Sequence, residues 1–138
     1  MLSKPRLRVV AAALFDAERR VLIAERPAGK HMAGWWEFPG GKVDGRESDA
    51  EALVRELREE LGVEVRADFA VMQLSHDYPD RVVDLVLWHA TLASGAPRGL
   101  DGQQLKWVDC QSLKDERLLP ADAPFIAALQ RLSSTNAN

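Results

Sequence analysis

Residues 41–63 read GKVDGRESDAEALVRELREELGV, and the placement of glutamates in this stretch governs how the rest of the chain is read. Five acidic side chains, Glu47, Glu51, Glu56, Glu59 and Glu60, surround a segment with the local signals of one helix. Ser48 is a suitable N-cap, with Glu51 three residues on to complete a capping box, and Gly62 is a left-handed stop. Ala50, Leu53, Val54, Leu57 and Leu61 recur at the helical period and give an apolar stripe that anchors one face. Glu56, Glu59 and Glu60 stand at i, i+3 and i+4 and leave the helix on one side. Like charges at this spacing cost roughly a few tenths of a kcal/mol per pair. A helix would not choose that arrangement for its own stability, so the spacing points to a cation held among them. Hard divalent ions with oxygen ligands fit best. The plain alternative is a solvated face in which Arg55 and Arg58 ladder with Glu51 and Glu59. Arg55, four residues before Glu59, is placed to pin a carboxylate while leaving its other oxygen free, or to form a surface ion pair.

Length and composition suit a single domain over residues 1–138, with 133–138 as a frayed tail. The formal charge of −3 carries no basic excess of the kind that grips duplex nucleic acid. Cys110 is the single cysteine, so no internal disulfide is available. The apolar run Val9 to Phe15 is seven residues long, the length of a buried strand and too short for a membrane span. These features lead to an expectation of a cytoplasmic protein without membrane or nucleic-acid partners.

Around the acidic helix, Leu7 to Phe15 and Val21 to Glu25 read as strands joined by the polar turn 16–20. Trp35, Trp36 and Phe38 read as a short strand before a turn at Pro39-Gly40-Gly41, where backbone can approach a ligand. Phe69 to His76 and Arg81 to Leu92 flank Asp77-Tyr78-Pro79-Asp80 and predict a long hairpin. Leu105 to Val108 gives one more strand, and Ala123 to Leu132 a closing helix. The expected architecture is an α/β/α sandwich with a mixed β-sheet. Trp35, Trp36, Phe38 and Trp88 are read chiefly as core aromatics, and His31, His76 and His89 lack metal-ligand spacing.

The full pattern of residues 41–63, with Gly41, Glu47, Arg55, Glu56, Leu57, Glu59, Glu60, Gly62 and Val63 in register, resembles the Nudix box at every fixed position. Further segments extend the likeness over nearly the whole chain: His31-Met32-Ala33, Glu37-Phe38-Pro39-Gly40-Gly41-Lys42, Tyr78-Pro79-Asp80-Arg81, Asp101-Gly102-Gln103 and Pro120-Ala121-Asp122-Ala123-Pro124. They are most similar to the MutT branch. That resemblance implies hydrolysis of a nucleoside triphosphate, 8-oxo-dGTP or 8-oxo-GTP, to the monophosphate and pyrophosphate, by a monomer or homodimer using Mg2+, with Mn2+ as a substitute. It assigns metal to Glu56, Glu59, Glu60 and the Gly40 carbonyl. Substrate would meet Arg26, His31, Glu37, Phe38, Asp80, Arg81 and Asp122. The general base is open among Glu56, Glu47 and Asp101, with Arg55 supporting the set.

Two departures from the MutT pattern stand out. Asp101 replaces a glutamate and is one methylene shorter; it also suits the start of an Asp-Gly turn. Asp122 replaces a base-reading asparagine, and an ionised carboxylate only accepts hydrogen bonds where an amide also donates. Asp122 equally suits the N-cap of the last helix, with Pro124 just inside. A similar stretch occurs in relatives acting on CTP and modified deoxycytidine triphosphates, which keeps a pyrimidine pyrophosphohydrolase as the alternative. A non-catalytic nucleotide-binding module is a remote third reading. Pro79 lies near where ADP-ribose hydrolases of the superfamily carry a proline, yet its neighbours match the MutT turn.

Overall fold

Residues 4–135 are described in a computed structural model of the chain. Strand β1 (Arg6–Phe15) is followed by β2 (Arg20–Glu25), β3 (Trp36–Glu37), β4 (Gly40–Lys42), helix α1 (Asp49–Leu61), β5 (Glu64–Asp77), β6 (Val82–Ser94), β7 (Leu105–Asp109), a 3-10 turn (Cys110–Asp115) and helix α2 (Phe125–Thr135). The sheet runs β3-β2-β1-β6-β5, with β4 paired to β1 and β7 to β2. β1 and β6 are parallel and the remaining pairs antiparallel, so the sheet is mixed.

β1 explains the sandwich. Val10, Ala12 and Leu14 point to one face, where they meet Leu53, Leu57 and Leu61 of α1. Ala11 and Ala13 point to the other, where they meet Phe125 and Leu129 of α2 and Leu113 of the 3-10 turn. A strand covered on both faces needs apolar residues at successive positions, which is why its sequence runs without alternation. Leu53, Leu57 and Leu61 are fully buried, and each such side chain contributes about 1.5–3 kcal/mol of burial.

Local detail departs from the sequence reading in places. The Pro39-Gly40-Gly41 segment is not a free turn, because Gly40–Lys42 pair with Val9–Ala11 as β4. A Cβ at Gly40 would stand 1.9 Å from the Val10 carbonyl oxygen, so only glycine allows this approach. β5 starts at Glu64, five residues before the expected Phe69, and register shifts at 64/65, 67/69 and 70/72 break its two-residue alternation. In α1 the buried alanine is Ala52, while Ala50 and Val54 lie at the rim of the stripe. The 3-10 turn was not expected, having neither a strand nor a full helical period. α2 begins at Phe125 and continues through Thr135, so 133–135 of the expected tail are helical; residues 136–138 lie outside the described part. Among the described residues no helix is long and apolar enough to cross a membrane.

Candidate functional site

β4, α1 and the loop before β7 meet around a cavity of about 410 Å3. Its lining brings together Val9, Val10 and Ala11 of β1, Gly40, Gly41, Glu60 and Asp101, and Phe38, His76, Tyr78, Val83, Leu85 and Asp122. Arg26, Lys30, Glu37 and Lys42 also line it. Two groups stand out around it, a carboxylate one in which Glu60 meets Gly40 and a more apolar one in which Asp122 meets Phe38; Glu47, Glu56 and Glu59 do not line the cavity, although the Glu56 carboxylate lies against Gly41, which does.

The carboxylate cluster is built from the helix outward. The Ser48 hydroxyl accepts from Glu51 N–H at 3.1 Å, and Glu51 returns a bond to Ser48 N–H at 2.9 Å, so the expected capping box is formed. Gly62 closes the helix at φ 68. Arg55 is the hub of the acidic cluster. Its guanidinium donates to Glu47 at 2.6 and 2.9 Å, to Glu56 at 3.0 Å, to Glu59 at 3.3 Å and to the Lys42 carbonyl at 3.0 Å. Its principal partner is Glu47 on the preceding loop, where the sequence pointed to Glu59. Those hydrogen bonds, with one from Asp44 N–H, hold the Glu47 carboxyl down at about 2.

Gly41 gives Glu56 its place. A Cβ there would lie 2.3–2.5 Å from the Glu56 carboxyl atoms, so a bare backbone is what admits the carboxylate. Burial raises the Glu56 pKa against the opposing pull of Arg55. Glu60 goes further: burial, with the charges of Glu56, Glu37 and Asp101 added, pushes it up to about 8 despite a hydrogen bond from Gly40 N–H. Two desolvated carboxylates beside one another carry a standing cost that a bound cation removes. As placed, no three His, Cys, Asp or Glu side chains among the described residues converge into a ready coordination set. The reason is visible in the geometry: Arg55 takes oxygens of Glu56 and Glu59, and Glu60 is turned to Gly40. The donor chemistry, carboxylates beside a glycine main chain, nonetheless fits a hard divalent ion.

The apolar cluster is assembled from distant segments. Phe38 N–H donates to Asp122 Oδ2 at 3.0 Å, and Asp122 is only 5% exposed. This overturns two expectations. The Asp122 side chain is spent on Phe38 rather than on capping α2, whose first residue Phe125 is instead held by the Asp122 main-chain carbonyl at 3.0 Å. The carboxyl is also not simply ionised at neutral pH. Burial, then the nearby Glu37, pushes it up to about 7 against the hydrogen bond from Phe38 and the charge of Arg26. The protonated form donates as well as accepts, which recovers part of what an amide offers. Phe38 itself is buried, its ring tilted against Phe125 at 6.3 Å, so the side chain serves the core while its main chain fixes Asp122.

Other expected residues separate into those near the cavity and those away from it. Arg26 and Glu37 both line it but are already paired at 3.2 Å, and Arg26 also donates to the His31 carbonyl at 2.9 Å, closing the 26–35 loop. His31, Asp80 and Arg81 are exposed and do not line the cavity. Arg81 lies over the Tyr78 ring at 5.4 Å. Sequence reasoning did not single out His76, Tyr78, Val83 or Leu85 as site residues. The signal was available for some: Val83 and Leu85 alternate along β6, and His76 and Tyr78 are two apart on the β5 side of the turn. His76 Nε2 is buried with no hydrogen-bond partner among the described residues.

With this geometry in place, the likeness to known proteins is specific. The family model for the NUDIX domain matches residues 4–129. A CTP pyrophosphohydrolase of Escherichia coli strain K12 is 38% identical over 89% of this chain and 91% of its own length. An 8-oxo-dGTP diphosphatase of the same strain is 34% identical over 92% of this chain and 98% of its own. Among solved structures, the E. coli ORF135 protein superposes with a TM-score of 0.84 at 35% identity, covering 97% of this chain and 95% of that one.

Proposed function

The chain belongs to the Nudix family and is a Nudix hydrolase, and on that premise we propose that it cleaves a nucleoside triphosphate to the monophosphate and pyrophosphate, with 8-oxo-dGTP or 8-oxo-GTP as substrate. The observation that carries this reading is a single cavity lined by carboxylates, among them Glu60 and Asp101, and by apolar side chains beside Asp122. The apolar lining suits a base, with Asp122 held against Phe38 to read it, and the carboxylates suit a metal-bound phosphate chain. Lys30 and Lys42 line the same cavity and favour a polyanionic tail. We assign the divalent cation to Glu56, Glu59, Glu60 and the Gly40 main chain, with Mg2+ the natural choice for phosphate oxygens. Bound there, such an ion supplies charge neutralisation of the triphosphate and a more acidic water.

The attacking water would need a proton acceptor among the side chains of this protein. Glu47 is a poor one, being held at about 2 and saturated by Arg55 and Asp44 N–H. Asp101 lines the cavity and forms no ion pair among the described residues, so we place it first, with Glu56 as the other candidate. The Asp122 carboxylate accepts from N1 and N2 hydrogens of a guanine, and its protonated form also gives a hydrogen bond to a base carbonyl. A second reading, CTP or a modified deoxycytidine triphosphate, draws on the same residue, because the carboxylate also accepts from the exocyclic amine of cytosine. The 38% identity to a CTP pyrophosphohydrolase supports it.

Pyrophosphate release from dGTP, 8-oxo-dGTP, CTP, dCTP and 5-methyl-dCTP, with Mg2+ and a Glu56→Gln control, decides between them. Selection of 8-oxo-dGTP over dGTP is the expected result. A preference for cytosine nucleotides moves the protein to the second reading, and equal rates for 8-oxo-dGTP and dGTP remove the first.

A further inference from the structure

The segment 98–103 is docked onto the end of α1 by unusual means. Arg98 N–H donates to the Leu61 carbonyl at 3.0 Å and Leu100 N–H to the Glu60 carbonyl at 3.1 Å, so the loop satisfies carbonyls that the helix terminus leaves open. Gly102 at φ 82 folds its N–H back to the Gly99 carbonyl at 2.9 Å. A Cβ at Gly99 would meet the Gln103 carbonyl oxygen at 2.0 Å, so this loop closes tightly on itself. At its centre is the Gln103 side chain, which lines the cavity. Its Oε1 accepts Asp101 N–H at 2.9 Å, and its Nε2 points to the Glu60 carbonyl at 3.5 Å, a long contact with an acceptor already shared with Leu100. On the far side, the Gln104 carbonyl accepts Glu25 N–H at 2.9 Å and ties the loop to β2.

We propose that Gln103 is a positioning residue: its side-chain amide fixes the main chain of Asp101 against the last turn of α1, so that the Asp101 carboxylate is presented beside Glu60. The inference rests on the Nudix hydrolase reading and deepens it by naming what orients a carboxylate that arrives from a loop rather than from the helix. Asp101 needs such help. It is exposed, the hydrogen bond its N–H gives to Gln103 is the only one it makes with a side chain among the described residues, and it sits beside a glycine with positive φ. Glu60, by contrast, is carried on a rigid helix.

Gln103→Met keeps the length and bulk and removes both hydrogen-bonding atoms, whereas Gln103→Glu keeps an acceptor for Asp101 N–H. The expected result for Gln103→Met is a fall in kcat of about tenfold at saturating nucleotide and Mg2+, with KM and melting temperature near wild type. Gln103→Glu should restore most of the loss. Because Gln103 acts through Asp101, the Asp101→Asn/Gln103→Met double variant should be no slower than Asp101→Asn alone. Direct Mn2+ binding, followed by electron paramagnetic resonance without nucleotide, should be unchanged in Gln103→Met, because the cation is assigned to Glu56, Glu59, Glu60 and Gly40; weakened binding counts against the proposal. Unchanged kcat in Gln103→Met, or losses that simply multiply in the double variant, overturns the proposal. If Gln103→Met proves unstable, Gln103→Glu decides: a rate as low as Asp101→Asn counts against the acceptor role, and a near wild-type rate supports it. A wild-type protein that hydrolyses no nucleoside triphosphate would instead sink the functional reading beneath it.

Discussion

The carboxylate cluster around Arg55 and the apolar cluster around Phe38 differ in how far along the chain their partners lie. In the first, Arg55 binds Glu47 eight positions away and Glu56 next to it. In the second, Phe38 and Asp122, 84 positions apart, are joined by a single main-chain to side-chain bond. The first arrangement is drawn from residues 41–59, with β4, which holds Gly41 against Glu56, itself paired to β1. The second exists only once β3, β4 and the turn before α2 have packed together. The acidic side chains of α1 are thus set largely by nearby sequence, whereas Asp101 and Asp122 reach the cavity only through the whole fold.

The largest expected effect breaks the carboxylate cluster. Glu56→Gln removes one charge from the desolvated pair with Glu60 and should lower kcat by about a thousandfold while leaving the fold intact. Retained turnover, measured as pyrophosphate release beside a circular dichroism spectrum, would take the box out of the mechanism. Next is Gly41→Ala. The added methyl would displace the Glu56 carboxylate, and kcat should fall about a hundredfold with little change in melting temperature. Gly45→Ala, where a Cβ meets nothing within 4 Å, is the control that should lose nothing through crowding.

A smaller effect tests the apolar cluster. With Asp122 at about 7, the wild-type ratio of kcat/KM for 8-oxo-dGTP over CTP should change several-fold between pH 6 and pH 8, and Asp122→Asn should flatten that dependence. A ratio that is flat in both proteins would leave Asp122 out of base reading. The same group predicts a stability effect. Its folded pKa lies above the value near ~3.9 of an unfolded chain, so the unfolded state ionises first as pH rises. Asp122 therefore withdraws stability between about pH 4 and pH 7, and the deficit persists above that range. Thermal melts should show Asp122→Asn gaining on the wild type at pH 8, with the gap closing toward pH 4; a gap that is constant with pH would contradict a buried, titrating carboxyl.

This division also explains what could be read from the residues alone. The α1 cap, its left-handed stop and the Glu56/Glu59/Glu60 spacing are local, and the sequence predicts each of them where it is found. So is the two-faced burial of β1, announced by its unbroken apolar run. β5 was shortened in the reading because three register shifts scramble its alternation. The pairing of Gly40–Lys42 with β1 was hidden because two glycines signal a turn, while here they permit close contact between strands. Asp122 looked like a helix cap because its true partner, a main-chain N–H at position 38, leaves no trace in nearby sequence. The resemblance gives Arg26 to substrate and says nothing of its protein partners, since its bonds to Glu37 and the His31 carbonyl depend on how the 26–35 loop folds back.

The two-sided burial of β1 bears on how this protein can be altered. Neighbouring residues of one short strand serve different compartments: Val10 and Ala12 back the helix that carries the acids, while Ala11 belongs to the core that supports Phe38. A library randomising β1 would couple turnover to selectivity at each step and would yield mostly inactive clones. One restricted to 76–85 and 119–122 could retune the base chosen while leaving the catalytic helix untouched. Recombination between relatives should meet the same obstacle, with crossovers within β1 the most damaging because they split both cores.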